Sequence, residues 1–392
     1  MLNSAVKKEV IDTFLDLSSR TWARFDPELG YILSDSLPHD GIDGCWTIST
    51  AREDGARTSH MYPQLACRIN TYGNSFTQCH QVSDGETWQE YLAAHLGEPI
   101  RNFGMGGYGV YQSYRRMIRT ERSKLAARYV LLYIWGDDHL RSALRCRHAL
   151  IYPSWDHRGG LAFHNNFWAH IEIDLASGGF VEKENLLPTE ESLYRMCDPD
   201  FMLEALRDDL MLQLCLLGHG DPASIDFKPL NALAEWLGTP GFDGGRSTVA
   251  ERAAERIKNA YGFAATKHII DKAARFCQGA KKRLLVLLQC HDATRQVLRG
   301  EARYDQEIVE YFKEKGLRYF DMNIAHGEDY RSFNLSVDDY MKRYFIGHYS
   351  PRGNHLFAYA LKDSLVDLLD PKPLTYHDDG TRAVDFDRFL SR

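Results

Sequence analysis

From Ala66 onward the chain alternates short, unbroken apolar runs with stretches of helical periodicity, a rhythm that predicts a mostly parallel sheet covered by helices. Strands covered on both faces read as continuous apolar runs because neither face meets water. The first run, Ala66 to Tyr72, leads into Gly73-Asn74-Ser75 and then a helical stretch through Trp88, Tyr91 and Leu92. The second, Pro99 to Phe103, meets Gly104-Met105-Gly106-Gly107-Tyr108-Gly109 and a helix over Val110 to Arg122. The third, Tyr129 to Trp135, ends in Gly136-Asp137-Asp138-His139. All three therefore finish in glycine or polar loops at the edge where open α/β sheets keep their ligand sites.

Upstream, Val6, Val10, Ile11, Phe14 and Leu15 recur at helical spacing among Lys7, Lys8, Glu9 and Asp12, the pattern of an amphipathic helix. Tyr31 to Leu33 and Cys45 to Ser49 read as short strands around a run of turn formers. Residues 1–65 are thus expected to be a lead-in packed on the main fold, and 66–392 the main domain. Between about 145 and 279 the strand–helix rhythm lapses, which predicts a mainly helical insertion with a strand near His170 to Asp174. The rhythm resumes with Arg283 to Gln289, a helix over Asp305 to Lys315, and Leu317 to Phe320 ending at Asp321. Ser336-Val337-Asp338-Asp339 has the form of a helix cap, Gly347 to Gly353 a loop, and Asn354 to Leu369 a last helix. The fold class expected is a three-layer α/β/α domain with a mostly parallel sheet, flavodoxin-like, carrying an N-terminal extension and an insertion.

Composition narrows the function classes. With 392 residues the chain can bury a large core without disulfides, and its eight cysteines show no C-x-x-C or zinc-finger spacing, so reduced structural thiols are expected. A net charge of −7 with no long basic stripe argues against nucleic acid as a partner. No apolar run reaches the length of a membrane span and the N-terminus lacks a signal peptide's apolar region, so a cytoplasmic protein without a membrane partner is expected. Histidines 148, 157, 164 and 170 with Asp156 match no ligand spacing, and no metal is expected. Trp155, Phe167 and Trp168 could wall a cleft, although core packing accounts for most such aromatics.

The chemistry rests on Ser75 and His348. A serine between a buried strand and a helix has its hydroxyl at the carboxyl edge of the sheet, with its own N–H aimed where an oxyanion would develop. Taken alone it would be a capping serine. Glycines after the second strand let a backbone N–H such as that of Gly107 approach a reacting carbonyl oxygen. The same stretch satisfies G-x-G-x-x-G, but it follows the second strand instead of opening the first βαβ unit, and no cofactor is expected. His348, on a loop after the last strand, can fold back over the same edge as general base.

In this order the segments resemble the blocks of the SGNH (GDSL-like) hydrolase family, over residues 66–142 and 283–370. Gly73-Asn74-Ser75-Phe76-Thr77 is similar to the nucleophile block, Asn102 to Gly109 to the glycine block, Gly136-Asp137-Asp138 to the block holding a side-chain oxyanion donor, and His348 to Asn354 to the terminal block. The resemblance implies Ser75 as nucleophile, His348 as base, and Ser75 and Gly107 as backbone oxyanion donors. It implies hydrolysis of a short acyl ester, acetyl or another short chain, on a small molecule or carbohydrate. Acyl transfer, and ligand binding by a degenerate site, are the alternatives.

Three departures bear on that expectation. Asn74 replaces an aspartate. Asp137 replaces an asparagine, and an ionised carboxylate cannot donate to an oxyanion, so Asp137 is protonated, or points elsewhere, or Asn74 supplies the amide. Phe345 and Ile346 stand where an acid precedes the histidine. Asp338, Asp339, Asp321 and Asp137 are then the candidate orienting acids, and a Ser-His dyad is the remaining option.

Overall fold

A computed structural model describes residues 6–19, 21–147, 165–218, 225–242 and 247–376. Nine strands occur among them: β1 (Ala23–Asp26), β2 (Gly30–Leu33), β3 (Ile69–Tyr72), β4 (Arg101–Asn102), β5 (Tyr129–Trp135), β6 (His170–Asp174), β7 (Gly179–Lys183), β8 (Arg283–Gln289) and β9 (Tyr319–Asp321). Five of them form one parallel sheet in the order β4-β3-β5-β8-β9, with Ile69 opposite Tyr129 and Tyr129 opposite Arg283. Counted within the sheet this is 2-1-3-4-5, a doubly wound order whose direction reverses between β3 and β5.

The two faces of the sheet are covered separately. Tyr129, Leu131 and Tyr133 of β5 share a core with Trp88, Leu92, Phe357, Leu361 and Leu365. Their alternates Val130, Leu132 and Ile134 face Val110, Tyr111, Met117, Ile269, Ile270 and Phe312. That division is the period-two consequence of strand geometry, and it makes three layers, helix, sheet and helix. Each such aliphatic or aromatic side chain, fully buried, contributes about 1.5–3 kcal/mol.

The lead-in and the insertion have a third core in common. Val6, Ile11 and Phe14, from and beside helix Lys8–Leu15, join Tyr31 and Leu33 of β2 with Phe167, Trp168, Met196, Leu206 and Leu214. Phe167 and Trp168 are thus core residues, while Trp155, Asp156 and histidines 148, 157 and 164 lie outside the described residues. His170 opens β6 and pairs with Glu172 at 3.0 Å. The long helix Ser247–Gly279 belongs to both bodies: Ala254, Ile257 and Tyr261 enter this third core, and Ile269, Ile270 and Ala273 lie on the sheet.

Several elements differ from the sequence expectation. Cys45 to Ser49 forms no strand and makes only an isolated bridge from Ser49 to Ser36, whereas the expected strand at Tyr31 to Leu33 is present as β2 and pairs with β1, which apolar periodicity did not suggest. The helical stretch after Ser75 breaks in two, Ser75–Gln78 and Trp88–Leu96, because Cys79 and Gln81 adopt positive φ of 61° and 71°. Among the described residues no helix is long and apolar enough to cross a membrane. All eight cysteines are free thiols.

Candidate active site

Ser75 opens its helix at the end of β3, on one side of the point where the sheet order reverses. Asn74 caps the helix, its Oδ1 accepting the Phe76 N–H at 2.7 Å. The other face of that amide is also committed: Nδ2 donates to Asp138 Oδ2 at 2.6 Å, and the same oxygen accepts the Trp135 N–H at 2.9 Å. Asn74 thereby ties the turn after β3 to the turn after β5. Burial pushes the Asp138 carboxyl up to about 8 against the opposing pull of Arg141.

The glycine loop closes in from the other side. A side chain at Gly104 would overlap the backbone of Thr77 and Gln78, so this glycine permits the loop to lie directly on the serine helix. Gly107 has φ of +83°, and a Cβ there would overlap the guanidinium of Arg147. Tyr31, from the lead-in, braces the loop by donating its hydroxyl to the Gly106 carbonyl at 3.0 Å. A Cβ at Gly106 would meet the Trp22 ring and one at Gly109 the backbone of Ser142, so close packing accounts for all three glycines of G-x-G-x-x-G.

His348 follows helix Val337–Tyr344 and comes back over the sheet edge. Its Nε2 lies 2.7 Å from Ser75 Oγ. Its Nδ1 lies 2.9 Å from Gln81 Oε1, which also accepts the His348 backbone N–H at 2.8 Å. The Gln81 amide is oriented by its other end, where Nε2 donates to the Asp40 carbonyl at 2.9 Å. An amide oxygen has no hydrogen to give and can only accept, so Nδ1 facing it is the donor, the proton sits on Nδ1 and the lone pair of Nε2 faces the serine. Gln81 makes these contacts from a backbone position with φ of 71°. The imidazole packs against Phe76 and His80, with centroids 4.8 and 5.1 Å away. Burial, with His80, His291 and Arg141 nearby, holds its pKa well below the usual histidine value.

These groups open into a cavity of about 460 Å³ lined by Ser75, Gly107 and His348 together with Trp22, Trp135, Arg141 and Arg147. His80, also on its wall, pairs with Asp40 at 2.9 Å. Among the described residues no cluster of histidine, cysteine and carboxylate side chains is suited to a metal ion.

Of the residues singled out from the sequence, Ser75, Gly107 and His348 meet here. The candidate acids do not. Asp338 and Asp339 stand exposed in the first turn of helix Val337–Tyr344, Asp339 bonded to the Ser336 cap at 2.7 Å. Asp321 caps helix Met322–Tyr330 and pairs with Arg303. Asp137 pairs with Arg141 at 3.4 Å. The orienting position belongs to Gln81, an amide where a carboxylate was expected. Asn74 is corrected as well: its amide is fully buried and bonded to Asp138, and neither it nor Asp137 lines the cavity.

Gln81, His80, Asp40, Trp22, Arg141 and Arg147 were not legible as site residues. Two signals were present in the sequence: a histidine and an amide shortly after Ser75, and an arginine beyond the third strand loop. No protein-family model and no curated protein matches the sequence.

Proposed function

We propose that the protein is a serine hydrolase of the SGNH type that cleaves short acyl esters, with esters on carbohydrates as the class to examine first. The observation that carries this reading is the 2.7 Å contact between Ser75 Oγ and His348 Nε2, with the proton of the imidazole held on the opposite nitrogen by Gln81. A neutral Nε2 takes the hydroxyl proton as Oγ attacks the ester carbonyl carbon. The backbone N–H groups of Ser75 and Gly107 receive the oxyanion, and His348 returns its proton to the leaving alkoxide. Water then attacks the acyl-enzyme, with His348 again the base, and releases the acid.

Trp22, Trp135 and Phe76 give the cavity aromatic walls that suit the apolar face of a sugar ring, and its volume of about 460 Å³ suits a small ester. Intact-mass analysis after exposure to a fluorophosphonate tests the reading. One adduct on Ser75, lost in Ser75→Ala and slow to form in His348→Ala, is the expected result. A folded wild-type protein that stays unlabelled and turns over no acyl ester would refute it.

A further inference from the structure

The oxyanion hole of the proposed reaction has two backbone donors and lacks the side-chain amide that the sequence resemblance calls for. Asn74 spends its amide on Asp138 inside the protein, and Asp137 is a carboxylate paired with Arg141 off the cavity wall. A positively charged group lines the same cavity. Arg147 lines the cavity with Ser75 and His348, is 5% exposed, and lies so close to Gly107 that only a glycine fits beneath its guanidinium. Its backbone is held within the insertion by an N–H donated to the Asn166 carbonyl at 3.0 Å.

We propose that Arg147 is the third oxyanion donor, a guanidinium N–H replacing the missing amide beside the Gly107 N–H. This rests on the reading of the site as a serine hydrolase. A guanidinium carries five N–H donors in a fixed plane, so one can face the cavity while others hold protein partners. Donation from a cation to an anion is roughly twice as strong as a neutral hydrogen bond, and it gains most when charge develops in a site closed to water. Arg147 makes no covalent bond and transfers no proton: it strengthens its hydrogen bond as the carbonyl oxygen becomes an alkoxide and relaxes when the acyl-enzyme forms.

The alternative use of a cation in this cavity is to hold an anionic group of the substrate, and kinetics separates the two. Arg147→Met and Arg147→Lys are compared with wild type on an uncharged aryl acetate and on an acetate ester bearing a carboxylate on its alcohol. Near-UV circular dichroism is used to verify folding. A transition-state donor predicts that kcat falls roughly 10²- to 10³-fold in Arg147→Met on both esters while KM stays within about threefold. Arg147→Lys, which keeps the charge and is the more conservative replacement, should lose less. Fluorophosphonate labelling of Ser75 should slow in parallel, because that reaction also builds negative charge on an oxygen in the hole.

A KM that rises only for the carboxylate ester, with kcat intact on the uncharged one, would overturn the proposal and make Arg147 a substrate clamp. Wild-type kcat in a folded Arg147→Met would overturn it too, and labelling of wild-type Ser75 would leave the hydrolase reading standing in both cases. Failure of wild type itself to label or turn over would remove both.

Discussion

Gln81 holds His348 at two points, its Oε1 accepting the backbone N–H at 2.8 Å and facing Nδ1 at 2.9 Å. A neutral amide thus does what a carboxylate does in a Ser-His-Asp arrangement as far as tautomer and direction are concerned, without charge to favour the imidazolium. Gln81→Ala should therefore lower kcat by roughly 10²-fold, a typical contribution of a positioned general base, with little change in KM. Steady-state kinetics on an aryl acetate measures this. Wild-type kcat in the variant would mean that the serine contact alone positions the ring.

The pH profile follows from the same environment. Burial and the cationic neighbours disfavour the protonated ring, so His348 stays neutral, and competent as a base, well below the usual histidine pKa. The acid limb of kcat/KM should accordingly fall below pH 6.5, with a plateau above it. Gln81→Glu keeps the acceptor at Nδ1 and adds a negative charge that favours the imidazolium. It should move the limb upward by about one pH unit or more. A limb that does not respond to Gln81→Glu would mean that another group titrates.

How much of this was legible in advance depends on the range of the contacts. β5 and β8 could be read because a strand covered on both faces must be apolar throughout. β4 was read too long: only Arg101 and Asn102 pair with β3, since the chain leaves the sheet to lay its glycines on the serine helix. Ser75 and His348 were singled out by the order of the blocks that resemble the SGNH family, since position alone gives a capping serine and a loop histidine. Gln81 was not, because the orienter was sought among aspartates, whereas the contact is made by an amide 267 positions from the histidine. The lead-in was read as packing, but Trp22 lines the cavity and Asp40 fixes Gln81, both through tertiary contacts that no local pattern encodes.

His291 offers a stability test. Its ring lies in an aromatic cage with Phe76, Trp135 and Phe345, and its Nε2 is buried with no hydrogen-bond partner among the described residues. Burial, with Arg295 adding to it, lowers its pKa to about 4. Below pH 6.5 the unfolded chain takes up a proton here and the folded chain does not, so stability falls as pH drops toward 4, by up to about 1.4 kcal/mol per unit for this one group. His291→Phe removes both that linkage and an unsatisfied buried atom. It should be more stable than wild type by about 1–3 kcal/mol near neutrality, with the gap widening toward pH 5. Urea unfolding at pH 8, 7 and 5 measures it, and a gap that narrows as pH falls would contradict the assignment.

The two adjacent carboxylates after β5 should behave in opposite ways. Asp138 is 1% exposed and receives the Trp135 N–H and the Asn74 amide on one oxygen, so Asp138→Ala strands two buried donors at the foot of the serine turn. A cost of about 3 kcal/mol in stability and a large loss of kcat are expected, since each buried donor stripped of its acceptor costs about 1–3 kcal/mol. Asp137 is off the cavity wall and paired with Arg141, so Asp137→Asn, which restores the residue the resemblance calls for, should leave kcat within about threefold of wild type. A gain of about tenfold or more in Asp137→Asn would mean that an amide at this position reaches the oxyanion. The hole would then be completed from the β5 loop, and the role assigned to Arg147 would pass to residue 137.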